Sequence, residues 1–188
     1  MVESKGWNWN LVKEDKEYIW KNPSKESYYL LNRWKTQEKK EFLDLGCGMG
    51  RHSILFGKNK FNVSCFDISA EAIKRTKEWA EQENLQFDYK IGDMIELPYK
   101  NEQFDCILCR NVIAHTDTEG IKKVINEIYR VLKPEGECYL THFYADYKLA
   151  KKLFSEFEIV QIYQVVDYHE KETEVTESYH YHLLVHKK

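Results

Sequence analysis

The sequence predicts an α/β fold in which a largely parallel sheet carries helices on both faces. Short apolar segments alternate with segments of helical periodicity throughout residues 41–143. No internal repeat or low-complexity linker breaks this alternation. Because strands separated by helices need crossover connections, the alternation favours parallel strands with helices packed on either side.

Length and composition indicate one soluble, mildly acidic domain. The chain has 188 residues, 31% charged side chains and a formal net charge of -3, so it lacks the basic surface expected of a nucleic-acid-binding protein. It contains no run of 18 apolar residues, and its first ten residues lack the apolar core of a signal peptide. The five cysteines are odd in number and lie in apolar segments. We therefore expect a cytoplasmic protein with reduced thiols, no membrane contact and no nucleic-acid partner.

The first three strands are predicted from apolar runs rich in β-branched and aromatic residues. They are Glu41–Gly46 (EFLDLG), Phe61–Ile68 (FNVSCFDI) and residues 85–93 (LQFDYKIGD). The helix after the first strand is predicted over residues 50–59. Ser69 is a typical N-cap for the helix after the second strand.

The next two strands enclose an amphipathic helix. FDCILCRNV, residues 104–112, predicts the fourth strand, and ECYLTHF, residues 137–143, predicts the fifth. KPEGE, residues 133–137, ends the intervening helix, because proline cannot continue it and glycine supplies a turn. The apolar face of that helix is predicted to comprise Ile121, Val124, Ile125, Ile128 and Leu132.

The C-terminal region predicts a helix at about residues 147–157 and then two strands, residues 158–169 and 174–187, joined by a charged turn. Strands joined so closely indicate a hairpin at the edge of the sheet. The His-x-His spacing in the last strand is one that zinc can use. The candidate for a third ligand is His169, which a hairpin could bring close, but no third ligand is evident nearby, so we predict no metal site. That strand alternates with period two, with Tyr179, Tyr181, Leu183 and Val185 on one face and His180, His182, Leu184 and His186 on the other.

The first forty residues contain four of the five tryptophans, Trp7, Trp9, Trp20 and Trp34. A helix is predicted to begin near Ser24 and to pack on the sheet. The first twenty residues have two interpretations. They are either a terminus that packs on the domain or frays, or a flap that closes over a ligand.

Three glycines, Gly46, Gly48 and Gly50, follow the first predicted strand at every second position. In an open α/β sheet, ligands bind beyond the carboxyl ends of the strands, and glycines let the backbone approach them closely. Asp67 ends the second predicted strand, 21 residues after Gly46. A carboxylate there can accept hydrogen bonds from the two hydroxyls of a ribose. The turn and Asp67 together therefore favour an adenosine-type ligand.

Two further residues distinguish between adenosine-type ligands. The dinucleotide fingerprint G-x-G-x-x-G needs a third glycine where this chain has Arg51, which disfavours a pyrophosphate. Asp44, just before the turn, is placed to accept from an ammonium group. S-adenosylmethionine carries such a group and NAD does not. The pattern therefore favours a nucleoside that bears an amino acid.

Four segments resemble, in order and spacing, the motifs of the class I S-adenosylmethionine-dependent methyltransferases. They are FLDLGCGMGRHS, FDIS, IGDMIELPYKNEQFDCILCRNVIAHT and EIYRVLKPEGECYLT, and they lie within residues 41–143. The resemblance implies a Rossmann-like sheet of seven strands in the order 3-2-1-4-5-7-6, with only strand seven antiparallel. We expect one domain, with a cofactor-binding core at 41–145, an aromatic-rich segment at 1–40 before it, and a helix and edge hairpin at 146–188 after it.

The resemblance also implies which residues contact the cofactor. Asp44 and the glycine turn would hold the methionine end, Asp67 the ribose, and Asp93 the adenine amino group. Arg110 and Asn111 would border the sulfonium with their backbone carbonyls. The complete set of implied contacts is Asp44, Gly46, Cys47, Gly48, Gly50, Asp67, Ile68, Asp93, Met94, Arg110 and Asn111.

Methyl transfer to a small molecule is the activity that the resemblance implies, with S-adenosylmethionine as cofactor and S-adenosylhomocysteine as product. The short chain without a second domain is similar to the small-molecule members of the family. Many acceptors must lose a proton, and histidine is the usual base near neutral pH. The candidates are His142, at the end of the fifth strand, and His115, after the fourth, for which a structural role is the alternative.

Three other functions stay open. A protein or nucleic-acid methyltransferase would share the cofactor motifs, although the net charge and the missing recognition domain count against it. An NAD-dependent oxidoreductase is disfavoured by the glycine spacing. A non-catalytic protein that binds S-adenosylmethionine would carry the same cofactor residues. The sequence identifies neither the acceptor nor the oligomeric state.

Overall fold

A seven-stranded sheet forms the centre of the computed structural model, which describes residues 2–12, 20–144, 147–171 and 174–188. The strands are β1 (Glu41–Leu45), β2 (Asn62–Asp67), β3 (Asp88–Ile91), β4 (Phe104–Cys109), β5 (Leu132–Phe143), β6 (Phe157–Lys171) and β7 (Glu174–Lys187). Their spatial order is β3-β2-β1-β4-β5-β7-β6. Neighbouring strands are parallel except for the pairs that include β7. The predicted fold class and strand order are thus confirmed.

In the described part of the chain, five α-helices connect or flank the strands. They are α1 (Lys25–Thr36), α2 (Arg51–Lys58), α3 (Ala70–Gln82), α4 (Thr118–Val131) and α5 (Tyr147–Leu153). Ser69 caps α3 as predicted, because its hydroxyl accepts from the backbone N–H of Ala72 at 3.3 Å. Within the described ranges, none of the helices combines the length and apolar character needed to cross a bilayer.

The two faces of the sheet carry separate apolar cores. On one face, Trp34 of α1 and Phe56 of α2 pack with Phe42 of β1. On the other face, Ile128 of α4 belongs to the core that contains Leu43. Helices therefore cover both faces, and a ligand has access at the ends of the strands.

The last two strands form the predicted edge hairpin. β6 pairs antiparallel with β7 from Phe157–Lys187 to Lys171–Glu174, and β7 pairs antiparallel with β5. Leu183 and Leu184 belong to opposite cores, as the period-two pattern predicts. The turn between the strands, residues 172–173, lies outside the described residues.

Several predicted boundaries are wrong. β3 is shorter than the predicted residues 85–93, and β4 ends at Cys109 instead of residue 112. Leu132 is the first residue of β5, paired with Phe104, and not part of the apolar face of α4. KPEGE then lies within β5, where the register shifts and Glu135 adopts a φ of 64°. A bulge accommodates Pro134, which cannot donate to a strand ladder. Similarly, α5 ends at Leu153, and residue 157 begins β6.

Candidate functional site

A cavity of about 400 Å³ lies at the carboxyl ends of β1, β2 and β4. The strand order reverses here, because β1 has β2 on one side and β4 on the other. Residues of the N-terminal segment, 2–12, form part of its wall. The predicted site residues that line it are Gly46, Cys47, Gly48, Asp67, Ile68, Met94, Arg110, Asn111 and His115.

The glycine turn is held against the end of β2. The N–H groups of Gly46 and Cys47 both donate to the carbonyl of Phe66, at 2.7 and 3.0 Å. Gly48 has a φ of 56°, and a Cβ there would lie 2.6 Å from the indole of Trp9. A side chain at Gly48 would therefore strain the turn and displace the tryptophan. Gly50, also with positive φ, closes the turn just before α2.

Asp67 joins the glycine turn to the start of α3. Its Oδ2 accepts from the Gly48 N–H at 2.9 Å, and its Oδ1 accepts from the Ser69 N–H at 2.8 Å. Burial raises the pKa of this carboxyl, while the two backbone bonds lower it. Each oxygen keeps a further lone pair, so the carboxylate can still accept from a ligand in the cavity.

Asp44 lies beneath the turn and does not line the cavity. It is 2% exposed, and its Oδ2 accepts from the hydroxyl of Ser53 on α2 at 2.6 Å. Burial raises its pKa to about 6, so it is ionised at neutral pH. Its charge therefore acts on the site through the turn above it.

The N-terminal segment forms part of the cavity wall and is held to the rest of the domain at Ser4 and Lys5. The N–H and hydroxyl of Ser4 donate to the two carboxylate oxygens of Asp93, at 2.9 and 2.5 Å. The N–H of Lys5 donates to the carbonyl of His115 at 2.8 Å. Asp93, predicted to face the adenine, thus lies beside the cavity and binds Ser4.

The indoles of Trp7, Trp9 and Trp20 lie close to one another, and that of Trp9 lies against the glycine turn. The ring of Trp20 lies 6.2 Å from that of Trp7 and 5.2 Å from that of Trp9, the second pair edge to face. The guanidinium of Arg51 lies 5.9 Å from the ring of Trp20. All three tryptophans line the cavity, so its outer wall is aromatic.

Asn111 fixes the conformation of the loop after β4 through its hydrogen bonds to Thr141. This residue has a φ of 59°, its N–H donates to the hydroxyl of Thr141 at 3.0 Å, and its Oδ1 accepts from the same hydroxyl at 2.9 Å. Asparagine tolerates this left-handed conformation better than most residues. β5 thereby fixes the position of the loop that carries Arg110 and Asn111.

The two candidate bases are placed differently. His115 is exposed at the cavity edge, in a short 3-10 helix. His142 lies in β5, but its side chain is outside those that the structure describes. The predicted catalytic roles of both residues stay predictions.

His52 lines the cavity, although the sequence did not single it out. It is 4% exposed, and its Nε2 accepts from the N–H of Ser24 at 3.3 Å. Burial, together with Arg51 and Arg110, holds its pKa well below the usual value, so the ring is neutral. Its position near the start of α2, two residues after Gly50, was the feature of the sequence that could have identified it as a cavity residue.

A polar cluster on β5, β6 and β7 meets the cavity wall at Tyr144. Nδ1 of His182 is 2.9 Å from the hydroxyl of Tyr139 and 3.1 Å from that of Tyr163, and its Nε2 is 3.1 Å from Nε2 of His180. Burial lowers the pKa of His182 to about 4. Tyr144, in the cavity wall, has its ring 5.8 Å from that of His180. The alternation of side chains along β7 predicted that both histidines lie on one face. The contacts with Tyr139 and Tyr163 follow only from the register in which β7 pairs with β5 and β6.

Among the side chains described, no three His, Cys, Asp or Glu residues come together as a metal site would require. All five cysteines are buried and free.

Comparisons with known proteins support a methyltransferase assignment. A family model described as "Methyltransferase domain" matches residues 42–136. An uncharacterized protein of Methanocaldococcus jannaschii is 32% identical over 125 residues, which cover 66% of this chain and 51% of that protein. The ubiquinone biosynthesis O-methyltransferase of Coxiella burnetii is 27% identical over 140 residues, which cover 74% of this chain and 58% of that protein. The chain thus spans about half the length of these relatives.

The fold has a counterpart among solved structures. A structure of an S-adenosylmethionine-dependent methyltransferase from Methanosarcina mazei superposes with a TM-score of 0.66 at 21% identity, covering 88% of this chain and 98% of that one. The family model covers half of the chain, including the glycine turn and Asp67. The chain belongs to the class I S-adenosylmethionine-dependent methyltransferase family.

Proposed function

We propose that this protein transfers a methyl group from S-adenosylmethionine to a small-molecule acceptor. The observation that carries the proposal is the 2.9 Å hydrogen bond from the Gly48 N–H to Asp67. It makes the glycine turn and the ribose-binding carboxylate one unit in the cavity wall. The Coxiella burnetii relative, named an O-methyltransferase of ubiquinone biosynthesis, supports a small-molecule acceptor.

Asp67 accepts the ribose hydroxyls in this proposal, and the residues around it hold the adenine. Ile68 is 39% exposed at the cavity, which suits a side chain that packs on a purine. Met94 supplies a backbone N–H to the ring. Asp93 binds the adenine amino group with the lone pair of Oδ2 that its bonds to Ser4 and Ile95 leave available.

The methionine end of the cofactor lies along the glycine turn. Its ammonium group is attracted by the ionised Asp44 beneath the turn, and its carboxylate pairs with Arg51 in the cavity wall. The backbone carbonyls of Arg110 and Asn111 face the sulfonium. The fixed loop after β4 supports this last assignment, because Thr141 holds Asn111 in place.

The N-terminal segment serves as a lid. It brings Trp7 and Trp9 over the cavity, and its hydrogen bonds to Asp93 and the loop after β4 hold it there. A closed lid excludes water and raises the strength of electrostatic interactions inside the site.

Methyl transfer requires mainly that the cofactor and the acceptor are correctly aligned. When bound, the cofactor supplies an activated methyl group, which forms a bond to the acceptor nucleophile as the carbon–sulfur bond breaks and its electron pair stays on sulfur. The protein holds both partners in line and within reach. A hydroxyl, amine or thiol acceptor also releases a proton, for which His115 and His142 are the candidate bases.

Release of S-adenosylhomocysteine tests the proposal. Purified protein is incubated with S-adenosylmethionine and a broad panel of small-molecule acceptors, and the product is quantified by mass spectrometry. Turnover that depends on one acceptor class is the expected result, and the Asp67→Ala variant supplies the background. Cofactor binding without turnover on small molecules, proteins or nucleic acids would instead favour a non-catalytic binding protein.

A further inference from the structure

The arginines of this chain fall into two groups. There are five in the sequence. Arg33, Arg75 and Arg130 each bind a carboxylate, at nitrogen–oxygen distances of 2.6, 2.8 and 2.7 Å. Arg51 and Arg110 line the cavity, and neither forms an ion pair with any residue in the described part of the chain. Among the described residues, the arginines without a carboxylate partner are thus the two that line the cavity.

Arg110 is the less satisfied of the two cavity arginines. Arg51 donates to the backbone carbonyl of Asn22 at 3.4 Å. Nε of Arg110 is fully buried and has no hydrogen-bond partner among the described residues. Glu26 on α1 interacts with Arg110 electrostatically, but within the described chain the two form no ion pair. Burying a cation is costly unless an anion compensates it.

The positive charges of Arg51 and Arg110 lie close enough to repel each other. Burial, and then repulsion from Arg110, lower the pKa of Arg51. The acidic side chain in the cavity wall, Asp67, already accepts two backbone hydrogen bonds. S-adenosylmethionine carries one carboxylate beside an ammonium and a sulfonium, so it can neutralise one arginine and adds net positive charge. The second arginine is therefore available to an anion from another molecule.

The position of each cavity arginine in the fold indicates which ligand it binds. Arg51 begins α2 directly after the glycine turn, beside the proposed methionine end. Arg110 follows β4 and shares the cavity wall with Tyr144, which follows β5. Arg51 and Arg110 therefore follow different strands, β1 and β4, so the two cations can serve two different ligands.

We infer that the methyl acceptor is an organic acid whose carboxylate binds the guanidinium of Arg110. A guanidinium matches a carboxylate with two parallel hydrogen bonds, which fixes both position and orientation. The indoles of Trp7 and Trp20 in the same cavity suit an apolar or aromatic body for this acid. The inference rests on the proposed function, because it assumes that the cofactor occupies the Arg51 end.

Paired ligands test the inference even before the true acceptor is identified. Aromatic carboxylates and their primary carboxamides are titrated calorimetrically into protein saturated with S-adenosylhomocysteine. We expect at least one acid to bind about tenfold or more tightly than its amide, and Arg110→Gln to abolish that preference. Amides that bind as well as acids, or a preference that survives Arg110→Gln, would overturn the inference.

Two controls separate this result from the proposed function. S-adenosylhomocysteine is titrated into each variant alone, and Arg51→Gln is expected to lose more affinity than Arg110→Gln. Equal losses would assign both arginines to the cofactor and overturn the inference. If the wild-type protein does not bind S-adenosylhomocysteine, the proposed function fails first. Arg130→Gln, outside the cavity, should keep the acid preference, and its loss there would show that general charge explains the effect and overturn the inference.

Discussion

Asp67 shows how a single residue can organise a site. Its carboxylate binds the N–H of Gly48 on one side and the N–H of Ser69 on the other. The glycine turn and the start of α3 therefore keep a fixed spacing before any ligand arrives. Such preorganisation lowers the entropy lost when the cofactor binds.

Replacing Asp67 with alanine is expected to weaken S-adenosylhomocysteine binding by about 1.5–3 kcal/mol, because charge-assisted bonds to the ribose are lost. Titration calorimetry measures the change. Asp88→Ala is the matched control, because Asp88 on β3 is exposed and outside the cavity. Unchanged affinity in Asp67→Ala would refute the ribose role.

Asp44 couples stability to pH. Its pKa of about 6 in the folded protein lies above its ordinary value of 3.8, because burial disfavours the charge. The folded state therefore binds this proton more tightly than the unfolded state. The stabilising contribution is complete below pH 3.8 and is lost as the pH rises through 6.

Asp44→Asn is thus expected to raise the free energy of unfolding near neutral pH by up to about 3 kcal/mol, since no charge is buried. The gain should shrink as the pH falls from about 6 to about 4, as urea unfolding at several pH values will show. Cofactor affinity should fall in the same variant, because the ammonium loses its attraction. A gain that is independent of pH, or one matched by Asp88→Asn, would contradict this explanation.

At the level of elements, the N-terminal segment is the part of the site that the sequence left open. Its tryptophans suggested either plain packing or a flap. The contacts that place it, such as Ser4 with Asp93, join residues 89 positions apart. No local pattern predicts such a contact, because both partners are ordinary polar residues in loops.

Deleting residues 1–12 is expected to speed S-adenosylhomocysteine dissociation about tenfold or more, because the lid no longer retains the ligand. Stopped-flow fluorescence of the remaining tryptophans follows both rates. Ser4→Ala, which removes only the hydroxyl bond to Asp93, should show a smaller change in the same direction. Faster association with unaltered dissociation would mean that the segment obstructs the cavity instead of closing it.

Element boundaries were predictable where a local signal existed. Ser69 begins α3 because its hydroxyl caps the helix, and this follows from the sequence alone. The end of α4 was misplaced because Leu132 fits its apolar face but pairs with Phe104 instead. Pairing with β4 is a long-range interaction, and it prevailed over helical periodicity.

For the whole molecule, the alternation of strands and helices and the family resemblance were enough to predict the sheet order. The reversal of strand order at β1 then locates the cavity. The cluster of His182 with Tyr139 and Tyr163 could not be predicted, because it depends on how β7 is registered between β5 and β6. That Nε of Arg110 has no hydrogen-bond partner within the described ranges is likewise visible only in three dimensions.

Calorimetric titration of the full chain with S-adenosylhomocysteine, with NAD titrated in parallel, tests the central claim most directly. The glycine turn, Asp67 and Asp44 predict saturable binding of one S-adenosylhomocysteine per chain, with no measurable heat from NAD. Saturable binding of NAD by a protein that does not bind S-adenosylhomocysteine would contradict the account.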